Sequence, residues 1–445
     1  MDKIHFFSLL SKNLDKKLDI IIVKRGDSVI RAIMLGAGNR GLGTYGVYAK
    51  KHPGDIKFIA IADPDSERRT FFAAEHQIEK DMTYETAEQV LKEPKFADAI
   101  FVCTQDRQHT ESVVKALRLG YHVFLEKPMA IKPKDVIRIQ KQQSLYHRKL
   151  VVAHVLRYSP FFTTLKKILV DQTIGNLMSV DHIENVGYYH QAHSYVRGNW
   201  KNSETSSPMI LAKSCHDMDI LCYLLDQKPA FVSSFGELSH YRRESMEDVP
   251  DACLDGCPHQ ETCLYYAPKV YLNAADWMKF PVSNDLSDEA ILNALKKGPY
   301  GKCVYRSKNN VVDHQSVSIQ FEKGTIVNFM MTAFTNEIKR TIHLMGTKGE
   351  IFGDMNDDKI KIHLFGKPSY EVHVPHVDGG HSGGDDAVMK RFINALKYDW
   401  NTDEDLEIAV RGHLLALAAE EARLEKKVID FNQYMEDVIH GIKNS

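Results

Sequence analysis

Gly36-Ala37-Gly38-Asn39-Arg40-Gly41 follows a short apolar run and opens a helical pattern. In such a stretch the first glycine permits a tight turn, the second lets backbone approach a pyrophosphate, and the third lets helix pack on strand. The phosphates would lie at a helix N-terminus, where unpaired N–H groups and the helix dipole favour anions. Asp63 closes the next apolar run, 22 positions after Gly41. A carboxylate at that place accepts hydrogen bonds from an adenosine ribose and repels a 2′-phosphate, which favours NAD over NADP. Arg40, Arg68 and Arg69 could offset that preference and admit NADP.

Two other groups of residues could do chemistry. Tyr188, Tyr189, His190, His193, Tyr195, Arg197 and Trp200 crowd one segment. Aromatic faces beside hydrogen-bonding groups suit a hydroxylated ring, with Tyr188, His193, Arg197 and Trp200 as candidate substrate contacts; the alternative is a loop with packing anchors. Cys253, Cys257, Cys263 and Cys303 fall within an irregular insertion at about 241–305. Four thiolates could close a tetrahedral structural zinc site and staple an insertion that lacks its own core. They could equally be free thiols, and an iron–sulfur cluster is the lesser metal reading. A glycine-rich turn, 378–385, leads into a helix: Asp385 is a candidate N-cap, and His381 either reaches a substrate cleft or serves the turn alone.

These residues need elements to position them. Residues 1–28 are polar and lysine-rich and read as an appendage. From 29 onward short apolar runs at 29–35, 58–62, 97–102, 123–125 and 151–154 alternate with helical patterns at 44–51, 66–75 and 110–119. That alternation predicts a doubly wound parallel sheet over 29–155. Beyond 155, strand patterns at 178–186, 231–238, 316–321, 325–332, 340–345 and 359–364 arrive without intervening helices. They predict a second, mainly antiparallel open sheet over 156–445, with helices at 160–171, 216–225 and 406–427 packed on it. The fold class is therefore α/β, with two domains.

Composition narrows the function. A net charge of −2 over 445 residues offers no field to recruit nucleic acid or an anionic membrane. No apolar run approaches the roughly 20 residues that span a bilayer, and residues 1–10 lack a signal-peptide core. Seven cysteines in a long chain do not form a secreted disulfide framework. A cytoplasmic enzyme is expected.

Glu126-Lys127-Pro128 at a strand end, after Thr104 and His109, completes a pattern with Gly36–Gly41 and Asp63. Arg157-Tyr158, Gly175 and His216-Asp217-Met218-Asp219 extend it. Together they resemble the Gfo/Idh/MocA family of nicotinamide-dependent sugar oxidoreductases. The resemblance implies that Asn39, Arg40, Thr104, His109, Glu126 and Lys127 join the glycines and Asp63 around the dinucleotide. It implies that Lys127, whose bond to proline is often cis in the family, hydrogen-bonds the reacting hydroxyl, and that His216 is the general acid/base. It also implies a homo-oligomer, dimer or tetramer, built on the second sheet. This chain departs from the family's dehydrogenases at Ala212, where they carry an aspartate, and Lys213 beside it could add a second cation to the substrate site.

Three readings follow. The first is an NAD(P)-dependent oxidoreductase acting on a hydroxyl of a sugar, polyol or sugar derivative. The second, kept open by Ala212, is a glycoside-cleaving enzyme that recycles its NAD. The third is a non-catalytic sensor of nicotinamide or sugar, and the intact Lys127 and His216 argue against it.

Overall fold

The computed structural model describes residues 28–357 and 359–441, so the expected appendage, Ser28 apart, lies outside the described residues. Six parallel strands form the first sheet: β1 (Ile30–Leu35), β2 (Ile56–Ala62), β3 (Thr83–Tyr84), β4 (Ala99–Val102), β5 (His122–Leu125) and β6 (Leu150–Val152). Their order is β3-β2-β1-β4-β5-β6, which places the reversal of winding between β1 and β4. β4 is Ala-Ile-Phe-Val with every residue buried, as expected of a central strand covered on both faces. Flanking helices include α1 (Ser66–His76), α2 (His109–Arg118) and α3 (Pro133–Tyr146). Asp65 starts α1 by accepting from the Glu67 and Arg68 amides, and Pro133 starts α3 where its missing N–H has no partner to lose.

The second sheet has nine strands: β7 (Leu177–Asn185), β8 (Pro229–Glu237), β9 (His314–Phe321), β10 (Ile326–Thr332), β11 (Lys339–Gly346), β12 (Gly349–Asp354), β13 (Lys359–Leu364), β14 (Tyr370–His373) and β15 (Ile429–Asp430). Its order is β14-β13-β12-β11-β7-β10-β9-β8-β15, antiparallel except where β7 meets β10. β12, β14 and β15 were not expected from the sequence. β14 is largely exposed and β15 has two residues, so neither shows an apolar alternation to read.

On the inner face lie α4 (Pro160–Val170), α5 (Cys215–Leu225) and the long α7 (Asp403–Glu425). Between α5 and α7 in the chain, α6 (Gly384–Lys397) does something the expected boundary at 155 does not anticipate. Its Val388, Met389, Phe392 and Ile393 belong to the core of the first sheet, and the Phe392 ring meets Phe101 and Phe124 edge-on at 5.6 and 5.5 Å.

The insertion also departs from expectation, because it has cores of its own. Short helices at Ala267–Leu272, Asp276–Lys279 and Asp288–Lys297 bury Tyr271, Met278, Ile291 and Leu295 with Cys253. A second cluster gathers Tyr241, Tyr265, Cys303 and Tyr305 against Ala192 and Val196.

Candidate active site

The glycine loop leaves β1 at Gly36, whose φ of 94° is the left-handed region that suits glycine. A Cβ on Gly41 would stand 2.1 Å from the Gly36 carbonyl oxygen, so helix and strand approach too closely for any side chain. A Cβ on Gly38 would meet nothing within 4 Å, which leaves open room where phosphates are expected. The following helix winds with wide turns over Asn39–Gly46 before tightening over Val47–Lys51. Asp63, 6% exposed, ends β2; its Oδ2 accepts from the Ala37 amide at 2.7 Å and its Oδ1 from the Asp65 amide at 2.9 Å. Thr104 Oγ1 is buried with no hydrogen-bond partner among the described residues. His109 is a brace: its ring nitrogens lie 2.7 Å from the Pro128 oxygen and 3.0 Å from the Thr104 oxygen.

Three arginines that could have held a 2′-phosphate are engaged. Arg68 pairs with Asp65 at 3.7 Å, and Arg69 donates to the Asp63 carbonyl. Arg40 donates to Glu126 at 2.6 Å and grips Asp385 with both terminal nitrogens, at 3.1 and 2.9 Å. Burial alone would lower its pKa, but Tyr45, Glu126 and Asp385 carry it well above the usual value. For Glu126 burial raises the pKa, and Arg40 with the Tyr45 hydroxyl outweighs it, so the carboxylate stays ionised. Asp385 also accepts from the His381 ring, Nδ1 to Oδ1 3.1 Å. A continuous charged chain therefore runs from the Glu-Lys-Pro strand end through the glycine loop to the 378–385 turn.

Lys127 joins Pro128 through a cis peptide, and its Nζ donates to the Ala212 carbonyl oxygen at 2.7 Å. That bond spans the junction between the two sheets and sets the ammonium four residues before His216. His216, in the first turn of α5, is 5% exposed, and its Nδ1 has no partner among the described residues. Its ring stands 5.6 Å from that of His154 and 5.8 Å from that of His381. Burial first, then Lys127, His154 and His381, holds its pKa well below the usual histidine value, so the ring is neutral at pH 7. Lys213 pairs with Glu184 at 3.0 Å, and burial lowers its pKa against that partner's pull.

The aromatic segment turns elsewhere than expected. Gln191–Arg197 forms a second wide-turn helix, and it directs His193 and Arg197 into the insertion. His193 Nδ1 lies 3.0 Å from the Tyr271 hydroxyl, with its ring stacked on Tyr300 at 4.9 Å. Arg197 donates to the Lys302 and Tyr265 carbonyls at 2.7 and 2.6 Å, and is 1% exposed. Both side chains are structural ties of the insertion rather than free substrate contacts. Trp200 donates to Asp106 at 3.2 Å, and Tyr188 packs with the insertion's second cluster. His190 was passed over among the candidate contacts, yet its Nδ1 is buried and unpartnered among the described residues. Burial first, then Lys213, His193 and Lys127, holds its pKa well below the usual histidine value.

Other charged residues at the site pair across distances that no local pattern reveals. Arg157 donates from Nε to Asp219 at 2.6 Å, and Arg340 donates from Nε to Asp217 at 2.8 Å and pairs with Glu184 at 2.8 Å. Asp217 also lies 2.9 Å from His182 Nε2. These buried pairs fix the start of α5 and with it His216. Cys253, Cys257, Cys263 and Cys303, the expected zinc ligands, form no disulfide. Among the described residues no three His, Cys, Asp or Glu side chains are already arranged to hold a metal ion.

Comparison with known proteins agrees with this architecture. Residues 30–154 match the model of an oxidoreductase family's NAD-binding Rossmann fold, and residues 166–431 match that family's C-terminal α/β domain. YteT of Bacillus subtilis, whose name assigns it only to the oxidoreductases, is 24% identical over 315 residues, 66% of this chain and 71% of that protein. An inositol 2-dehydrogenase/D-chiro-inositol 3-dehydrogenase of Lactiplantibacillus plantarum is 26% identical over 170 residues, 37% of this chain and less than half (45%) of that protein. A levoglucosan dehydrogenase solved with NADH and levoglucosan shares the fold at a TM-score of 0.68 and 15% identity, covering 91% of this chain and all of that one. No helix among the described residues is long and apolar enough to cross a membrane. With both family models matched in succession along most of its length, the chain belongs to the Gfo/Idh/MocA oxidoreductase family.

Proposed function

We propose that this enzyme uses NAD to oxidise, or in reverse to form, a secondary hydroxyl of a sugar, polyol or sugar derivative. The observation that carries the reading is the junction itself. Lys127 of the first sheet is hydrogen-bonded at Ala212, and a neutral, unpartnered His216 Nδ1 follows on α5. The cofactor fits the residues present: Gly38 opens onto free space, Thr104 Oγ1 is an orphaned hydroxyl, and Asp63 ends β2 beside the loop. NAD is favoured over NADP because Arg40, Arg68 and Arg69 are each already bonded within the protein. When bound, the nicotinamide supplies the two-electron partner for the substrate carbon.

The protein's part is binding, orientation and proton handling. Lys127 donates to the reacting oxygen and stabilises negative charge as it develops. His216 Nδ1 takes the hydroxyl proton, which a neutral imidazole can do. His190, Lys213 and the His381 ring are the further groups offered to a hydroxylated substrate. The test is a panel of sugars, polyols and their glycosides with NAD and NADP, following NADH and any released aglycone. NADH formed on one class of substrate supports the reading; no turnover of any member, with NAD bound, refutes it.

One observation favours redox-neutral glycoside cleavage as the second reading. Position 212 presents only a methyl group, and the His381–Asp385 pair sets a second imidazole 5.8 Å from the His216 ring. Two bases at one site are what successive proton removals require. Release of aglycone without net NADH would select this reading.

The outward face of the second sheet supports self-association. Strand register aligns Ile183, Met330, Ser316 and Phe235 in one row across β7, β10, β9 and β8. Ile183, Met330 and Phe235 are 37, 41 and 73% exposed, and exposed apolar side chains in one row of an open sheet face support an interface between copies.

A further inference from the structure

Cys253, Cys257, Cys263 and Cys303 all line one cavity of about 10 Å³, together with His259 and Arg197. That is about the room one water-sized sphere needs. The chain is folded to bring them there. Ala252 and Lys302 form an antiparallel bridge, with the Cys253 amide donating to Gly301 and the Cys303 amide to Asp251, each at 2.9 Å. Cysteines 50 positions apart in the sequence thus come to diagonal positions either side of the Ala252–Lys302 bridge. A turn in which the Cys263 amide donates to the His259 carbonyl at 2.8 Å returns the third cysteine to the same cavity.

Arg197 supplies an independent observation. It is 1% exposed, its Nη2 points at Cys253 Sγ at 3.6 Å, and its Nη1 has no hydrogen-bond partner among the described residues. A buried guanidinium with an unused N–H is unfavourable beside neutral thiols. Beside thiolates the same group is a charge-assisted donor. A bound metal ion would hold such buried sulfurs deprotonated outright.

We infer that the four cysteines form a structural zinc site that staples the insertion to the segment carrying Arg197. Binding releases four thiol protons, and a divalent ion among four thiolates leaves a net charge of −2, which Arg197 partly neutralises. The sulfurs surround the cavity without converging on one point, so the ion draws them inward by side-chain rotation. A cation in contact with neutral ligands would repel the guanidinium; the thiolate set is what makes the neighbours compatible. The site is independent of which sugar the enzyme takes.

The test uses the full chain, purified without chelator and dialysed against zinc chloride and then metal-free buffer. Elemental analysis is expected to find about one zinc per chain. Titration with a mercurial, read by a chromogenic zinc indicator, should release that zinc as four thiols react. The double substitution Cys253→Ser, Cys303→Ser should lower zinc content at least about five-fold. If that variant fails to fold, the mercurial titration of the unmodified protein decides alone. Zinc below about a tenth per chain after dialysis, or zinc retained by a folded double variant, overturns the proposal. So does iron with acid-labile sulfide and broad visible absorbance, the signature of a cluster.

Discussion

Lys127 reaches a main-chain oxygen at position 212, where the side chain is only a methyl group and brings no negative charge to the ammonium near His216. Replacing Lys127 or His216 by alanine is expected to lower kcat about 10²–10⁴-fold on an identified substrate, with NAD affinity little changed. The pH profile separates the two roles. After burial, the Lys127 charge is the strongest influence depressing His216, so Lys127→Ala should raise the histidine's pKa and move the acid limb of kcat/KM to higher pH. Ala212→Asp should move it in the same direction. An unmoved limb in both variants would show that His216 is not the titrating base. At the cofactor end, Asp63→Ser is expected to weaken NAD and to narrow its advantage over NADP, read by calorimetry with both dinucleotides. The glycines and Asp63 were legible from their spacing at strand ends, whereas Lys127 and His216 were singled out only through the family resemblance. Arg197 and His193 misled, since nearness in sequence to His216 says nothing about a wide-turn helix facing them toward the insertion. Arg157 was marked by the family pattern but not its pairing with Asp219, 62 positions on, and Arg340 was invisible, because its partner Asp217 lies 123 positions away.

Helix α6 links the chemistry to the fold. It begins with Gly384 and Asp385, the latter bonded to Arg40 of the glycine loop and to His381, and then buries Phe392 against Phe101 and Phe124. Phe392→Ala is expected to cost about 3–5 kcal/mol of stability by denaturant titration, the usual range for a fully buried phenylalanine. It should also weaken NAD, because Arg40 loses a fixed partner; a variant as stable as the parent would show that α6 is peripheral to the first sheet. The periodicity of α6 was readable in the sequence, but its destination was not. An amphipathic helix announces that it has an apolar face and never which sheet will receive it. Among the strands, those with alternating burial such as β7 and β9 were legible, whereas β14 at the sheet edge carried no apolar pattern.

Across the molecule, buried neutral histidines tie stability to pH. Burial pushes His193 down to about 4 and His413 to about 3. In the unfolded chain such rings take up protons near 6.5, so between these values the unfolded state binds more protons than the folded one. Their contribution is complete above about pH 6.5 and is lost as pH falls toward 4, on the order of 1–2 kcal/mol per ring by pH 5. Thermal scans at pH 7.5 and 5 should show the midpoint dropping in acid; a flat profile would mean these rings are not held neutral. The open face of the second sheet gives another global expectation. Light scattering on the eluted peak should return a multiple of the chain mass, and Phe235→Glu with Met330→Glu should shift it toward the monomer. A final consequence belongs to time rather than space. The face of β4 and β5 that carries Phe101 and Phe124 is covered by Tyr45 and Phe58 and completed by Phe392, so a nascent chain leaving the ribosome leaves part of that aromatic surface exposed until α6 has emerged. At about 5–20 residues per second the wait is on the order of tens of seconds. During translation the cofactor-binding sheet is therefore the early-made and late-finished part of the protein, and a chaperone or a slow codon run ahead of α6 would act on it most.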